Sequence, residues 1–227
     1  GTTTASVTAG ALVGVVAGDD VSVTARAGFD TAAVGTGKTV TVTYALGGLD
    51  AGNYTGPTSQ VFATGVITAK GLGVSGLAAT SRAYDGTTTA AVTGTPTLTG
   101  VVAGDVVTVT GTAAGVFADK NVGGGKTVTV SGLVLGGGSA GNYALGTVTL
   151  AADITSKALT VGAPAVTLTK VYDGATTAAV TAGALGGVVS GDVVSVTASA
   201  SYATAGVGSG KTVTVTYALG GLDAGNY

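Results

Sequence analysis

The chain repeats itself three times, and this repeat limits what it can fold into more than any single motif does. Gly-Asp occurs at 18–19, 104–105 and 191–192. Gly-Lys-Thr-Val occurs at 37–40, 125–128 and 210–213, and Gly-Asn-Tyr at 52–54, 141–143 and 225–227. The order is constant and the spacings run from 84 to 89 residues. Tyr84-Asp85-Gly86 returns as Tyr172-Asp173-Gly174. A fixed period marks one structural unit used again and again. The slack between copies sits in Gly-rich segments, where connecting loops accept insertions. The divisions that follow are 1–69, 70–157 and 158–227. Compared with the middle copy, the first lacks its first strand and the third its last, so the sequence reads as a window on a longer array.

Within a copy the period is two. Thr39 to Tyr44 and Thr212 to Tyr217 both alternate Val with Thr. Such alternation predicts half-buried strands, Val inward and Thr outward. Val194 to Ala198, Thr147 to Leu150 and Val166 to Leu168 read the same way. Composition agrees: β-branched Val and Thr are abundant, while Glu and Met are absent and all 11 acids are Asp. About seven short strands in roughly 87 residues, separated by Gly and Asp-Gly turns, predict an all-β protein built of antiparallel two-sheet sandwiches. The complete unit, 70–157, is expected to form one sandwich without any long helix. The segments around Lys70 and Lys157 have no Pro/Ser tract, which predicts extended linkers and a rod-like array.

Five segments in fixed order carry a family likeness. They are Arg82 to Thr88, Gly100 to Asp105, Phe117 to Val130, Ala140 to Tyr143 and Ile154 to Lys157. The chain resembles the YDG or MBG-type repeats, the mostly bacterial immunoglobulin-like modules of large filamentous-haemagglutinin-like surface adhesins. The resemblance covers the whole chain in three copies. It implies tandem immunoglobulin-like sandwiches, export to the bacterial cell surface and a stalk or filler role. Copies one and three depart from Phe117-Ala-Asp-Lys-Asn121, reading Phe29-Asp-Thr-Ala-Ala33 and Tyr202-Ala-Thr-Ala-Gly206, so this loop is not expected to be a shared ligand site.

The motif residues read as structural. Tyr84 and Tyr172 are expected as core rings with a polar tip. Asp85 and Asp173 are expected to fold onto nearby backbone amides, and Gly86 and Gly174 to occupy φ > 0. Asp-x-Gly-x-Tyr ending at Tyr54 and Tyr227 looks like a tyrosine corner, in which the hydroxyl bonds to upstream backbone; the copy ending at Tyr143 has Ser139 in place of Asp. Gly-Lys-Thr lacks the upstream Gly of a phosphate-binding loop and precedes a strand, so it reads as a turn that launches a strand with Lys at its solvated start. Asn53-Tyr54-Thr55 makes a short glycosylation sequon of little weight. Asp19-Asp20 reads as a chance surface pair rather than a calcium site. A Lys–Asn crosslink at Lys120-Asn121 has a single occurrence against it.

Other chemistry finds no support. Without His, Cys or Glu there is no acid–base pair tuned near neutrality and no zinc set, so no catalytic, metal or cofactor residues are assigned and no enzyme is expected. There is no basic run to meet phosphates, and net charge is −2, so nucleic acid is not an expected partner. No apolar run approaches the roughly 20 residues of a spanning helix. The expected partners are neighbouring repeats of the same chain and like chains in a fibre. The expected function is a structural spacer of an extracellular adhesin or surface fibre. The alternative is repeats that themselves bind glycan or host protein, or that self-associate by strand donation. Ice binding by Thr rows is disfavoured because twisted sandwich sheets offer flat ranks poorly.

Overall fold

The structure, a computed structural model, describes all 227 residues. It is all-β. Its only helical features are three short 3-10 turns, Ala51–Asn53, Ala140–Asn142 and Ala224–Asn226, one in each Gly-Asn-Tyr segment. No helix is long and apolar enough to cross a membrane.

The alternation seen in sequence sets the faces of the strands. In Gly123–Ser131, Val128 and Val130 are buried while Thr127 and Thr129 are exposed. In Gly35–Gly47, Val42 is buried between exposed Thr41 and Thr43. Bulges interrupt the pairing around Lys38 and between Gly123 and Lys126. Leu168, expected at the end of a strand, is exposed instead, and only Ala165–Val166 of that segment is paired.

The chain packs as two compact units. One comprises residues 1–76, 96–112 and 133–146; the other comprises 77–95, 113–132 and 147–227. The first unit contains a four-stranded antiparallel sheet in the order Thr4–Ala5, Ser22–Phe29, Gly35–Gly47, Gln60–Ile67. It also holds the antiparallel pair Thr108–Thr110 with Val134–Gly136, and Tyr143–Leu145 beside residues 70–72. The second unit contains a five-stranded sheet in the order Arg82–Ala83, Val148–Thr155, Gly123–Ser131, Ala114–Phe117, Thr89–Ala90. A three-stranded sheet of Thr177–Ala178, Ser195–Tyr202 and Val213–Gly220 and two short pairs complete it.

The sequence repeat and the packing unit are therefore different divisions of the chain. Residues 70–157 contribute strands to both units. Two left-handed glycines interrupt the ladder of the middle copy. Gly111 (φ 96°) and Gly132 (φ 84°) break strands that run on without interruption in the other copies. In those copies Ser22–Phe29 and Ser195–Tyr202 each pair over eight residues with the strand that follows. The middle copy is two residues longer between its Asp and its aromatic, Asp105 to Phe117 against Asp19 to Phe29 and Asp192 to Tyr202. Its ladder divides at those glycines, and the unit boundaries fall at Thr112/Ala113 and Gly132/Leu133.

Pairing is antiparallel except at two places. Ile154 pairs with Arg82 and Tyr143 with Lys70 in parallel register. In each case a strand near the end of a repeat returns beside one near its start, and the long intervening stretch supplies the crossover that parallel pairing requires.

The core of the second unit is Tyr84, Ala90, Phe117, Val128, Ala152 and Ile154, with Leu150, Val189 and Tyr227 packed against it. Tyr84, Phe117, Val128 and Ile154 are the largest fully buried side chains in the chain. Truncating Val128 to Ala would cost roughly 1–3 kcal/mol, from lost transfer energy and the cavity left behind.

Candidate functional site

Each Gly-Asn-Tyr turn delivers its tyrosine to the Gly-Asp segment of the same copy. The 3-10 turn before the tyrosine reverses the chain and points the ring inward. Tyr54 donates to Asp19 Oδ2 (2.6 Å) and accepts from the Val16 amide (2.9 Å). Tyr143 donates to Asp105 Oδ2 (2.5 Å) and accepts from the Val102 amide (3.1 Å). Tyr227 donates to Asp192 Oδ2 (2.7 Å) and accepts from the Val189 amide (2.8 Å). The hydroxyl is thus used twice in every copy. Its bond to upstream backbone is of the kind a tyrosine corner makes, and the carboxylate is an addition that the sequence did not disclose.

A second polar contact closes the same loop. Asp50 Oδ2 accepts from the Asp20 amide and Asp223 Oδ2 from the Val193 amide, both at 2.8 Å. Ser139 Oγ, the variant in the middle copy, accepts from the Val106 amide at 3.3 Å. Ser replaces Asp without loss of the acceptor. Asp20, read as half of a chance pair, also accepts from the Leu49 amide, while its neighbour Asp19 holds Tyr54.

The third contact joins one copy to the next. The Val34 amide donates to Asn142 Oδ1 (2.9 Å), and the Val122 amide donates to Asn226 Oδ1 (3.0 Å). Both donors sit in the loop after the aromatic of one copy, and both acceptors in the Gly-Asn-Tyr of the following copy. Burial follows the same order. Asn53 is exposed, Asn142 half-buried and Asn226 buried.

In the second unit this junction is complete. Tyr84 of the middle copy donates to Asp192 Oδ2 (2.8 Å), the same oxygen that takes Tyr227. Lys120 Nζ lies 3.1 Å from Asp192 Oδ1. The Asp192 side chain is 2% exposed. Tyr84 and Tyr227 meet edge to face at 5.5 Å, and Lys120 lies over the Tyr84 ring. A carboxylate taken out of water needs its lone pairs satisfied, and two phenols and an ammonium do so here. The hydrogen bonds from Tyr227 first, then Tyr84 and Lys120, hold the Asp192 carboxyl below the usual carboxylate range against its desolvation. Burial pushes the Tyr84 hydroxyl up, and the bond to Asp192 adds to it. Tyr227 is also pushed up, chiefly by burial. Tyr54 and Tyr143 are pushed up, first of all by their hydrogen bonds to Asp19 and Asp105. The Lys120 ammonium is pushed up by Tyr84 and then by Asp192. Lys120 therefore serves as an ion-pair partner of Asp192.

The Tyr-Asp-Gly loops are built alike in both copies. Asp85 Oδ1 accepts from the Thr87 amide (2.8 Å) and Asp173 Oδ1 from the Ala175 amide (2.9 Å). Arg82 pairs with Asp85 and reaches the Thr87 and Thr89 carbonyls. Lys170 does the same with Asp173 and the Ala175 and Thr177 carbonyls. Gly86 and Gly174 have φ of 81° and 82°. The tyrosines differ. Tyr84 is 1% exposed, whereas Tyr172, expected in a core, is 64% exposed. The loop conformation is local, but burial of its tyrosine depends on what covers it. For Tyr84 the cover is the Gly-Asp segment of the next copy.

The Gly-Lys-Thr lysines are not free. Each reaches back seven residues: Lys38 to Thr31 Oγ1 (2.6 Å), Lys126 to Asp119 Oδ1 (2.6 Å), Lys211 to Thr204 Oγ1 (2.7 Å). Gly37, Gly125 and Gly210 have φ of 65°, 60° and 66° and make the turn. No group of three or more Asp side chains is placed to hold a metal.

The missed residues were Asp19, Asp105, Asp192, Asn142 and Asn226. Their signal was constancy: Gly-Asp and Gly-Asn-Tyr hold their places in all three copies although their surroundings vary. No match to the chain is found among curated proteins or among solved structures. The description YDG domain matches three times, over residues 1–61, 68–150 and 155–227. Those segments carry the three sets of tyrosine contacts, and the chain belongs to the YDG domain family.

Proposed function

We propose that the chain is a run of structural repeats: tandem immunoglobulin-like sandwiches, 1–69, 70–157 and 158–227, arrayed as a rod. The rod serves as stalk or spacer in a large extracellular bacterial adhesin or surface fibre of the filamentous-haemagglutinin-like kind, holding a binding domain away from the cell. The observation that carries this reading is the Asn contact made twice from one copy to the next, Val34 to Asn142 and Val122 to Asn226. A spacer needs successive repeats that brace one another, and these bonds recur in register. The polar residues in fixed motif positions are also engaged with each other, as Asp192 is with two tyrosines and a lysine, which suits support rather than chemistry.

The test is made on the native surface protein in its own bacterium. Repeats of this type are deleted or added in whole periods, and the distance of the tip from the cell is measured together with adhesion. A spacer predicts a reach that changes in proportion to repeat number, with ligand binding by the isolated tip unchanged. Loss of ligand binding by the purified protein on removing a single repeat would instead make the repeats themselves the binding element.

A further inference from the structure

The first and last segments of the middle repeat lie side by side and run in the same direction. Residues 70–72 pair in parallel with Tyr143–Leu145, and the Gly146 amide extends this ladder to the Leu72 carbonyl (3.1 Å). In a second patch Arg82–Ala83 pairs in parallel with residues 154–155, and the Tyr84 amide donates to the Thr155 carbonyl (2.9 Å). The register hardly drifts: Tyr143 stands 73 residues after its partner Lys70, and Ile154 stands 72 after Arg82. Each patch carries one buried aliphatic anchor, Leu72 in the first and Ile154 in the second. The third repeat begins in the same way. Lys157, the counterpart of Lys70, donates its amide to the carbonyl of Asn226, the residue before Tyr227 (3.0 Å). Within the second unit, Thr155 is thus held by the start of its own repeat and Lys157 by the end of the next, with Ser156 alone between them.

We propose that these parallel end pairs are a shear clamp, which gives the repeats a load-bearing function under tension along the chain. Tension reaches a repeat through its two ends, drawing Lys70 backward and Thr155 forward. Parallel neighbours pulled from opposite ends must slide past one another along their length. Ladder bonds run between strands rather than along them, so the bonds of a patch share the load and fail together. Antiparallel end segments would present both loaded ends at one side, and their bonds would open one after another. Sliding also drags Leu72 and Ile154 out of apolar surroundings, which adds resistance that a bare ladder lacks. The spacing at the repeat boundary serves the same end. With Ser156 alone between two bonded residues, no slack linker lengthens before the clamps take the load.

The inference rests on the spacer reading, and the experiment separates the two. The chain has no cysteine, so introduced cysteines give unambiguous handles for single-molecule pulling on the whole chain. Thr68→Cys with Ser156→Cys loads the middle repeat through its ends. Lys70→Cys with Ala144→Cys pulls the first patch apart from one side. All four side chains are exposed, so both double variants should melt like the parent. Forced unfolding reads the barrier out of the native state, so the two geometries can differ at one equilibrium stability. At equal pulling rate the end-loaded form is expected to need at least about twice the rupture force, because its bonds share the load instead of breaking in turn. Equal forces, or a lower force in the end-loaded form, would overturn the clamp and leave the spacer reading to the repeat-deletion test. A clamp that holds while the reach of the tip ignores repeat number would overturn the spacer reading alone.

Discussion

Tyr84 donates its phenolic hydrogen to Asp192, 108 residues further along the chain and in the next repeat. The tyrosine that gives its repeat the Tyr-Asp-Gly signature is therefore completed by a neighbour. Tyr84→Phe should destabilise the second compact unit by roughly 1–3 kcal/mol, the value of a hydrogen bond to a buried charge. Tyr172→Phe, on an exposed ring, should change stability by less than about 0.5 kcal/mol. Urea unfolding of the two variants against the parent makes the comparison. Equal effects would mean that the burial of Tyr84 does not matter.

The pH dependence has a defined sign. The Asp192 carboxyl is held below its ordinary value, so its contribution is complete above about pH 4 and fades as pH falls through the lower folded value. Tyr84 and Tyr227 are raised, so theirs is complete below about pH 10 and fades as pH climbs through the higher folded values. Asp85, Asp119 and Asp173 are also held low, so Asp192→Asn should reduce the acid slope without abolishing it. Unfolding free energy measured from pH 2 to 11 tests this. An unchanged acid slope in the Asn variant would count against it.

The two signature glycines form an internal control. Both have φ near +80°, which costs a side chain roughly 1–2 kcal/mol. At Gly86 an added Cβ also meets Val189, while at Gly174 it meets nothing. Gly86→Ala should therefore cost more than Gly174→Ala, by about 1 kcal/mol or more from overpacking. Thermal unfolding of the pair reads the difference.

Much of the fold was legible in the sequence because local rules governed it. Val and Thr alternate on the strands as their spacing requires, and Asp85, Asp173, Gly86 and Gly174 adopt the turn that Asp-Gly favours. The junction was less legible because it is not local. Asp192 takes its partners from residues 84, 120 and 227, and nothing near it in sequence names them. The break in the middle copy's ladder was hidden for another reason. Gly111 and Gly132 look like any other glycine in a chain with 42, and only their backbone conformation shows that they interrupt the ladder.

Lys120 should matter less than the acid it pairs with. Its place is taken by Ala32 and Ala205 in the other repeats, and its side chain is 40% exposed against 2% for Asp192. Lys120→Ala leaves Asp192 two phenolic donors; Asp192→Ala leaves Tyr84 and Tyr227 without their common acceptor. We expect the second substitution to destabilise by at least about 1 kcal/mol more than the first, since stranded buried polar groups bear the desolvation cost. Chemical unfolding of both variants decides the order.

The central claim is that consecutive repeats lock through Tyr84 and Asp192, and a double-mutant cycle measures that lock. The stabilities of the parent, Tyr84→Phe, Asp192→Asn and the double variant are compared by urea unfolding at pH 7. Contact across the repeat junction predicts a coupling energy of about 1–3 kcal/mol, with the double variant less damaged than the sum of the singles. Additive effects within about 0.3–0.5 kcal/mol, as for distant independent sites, would contradict it.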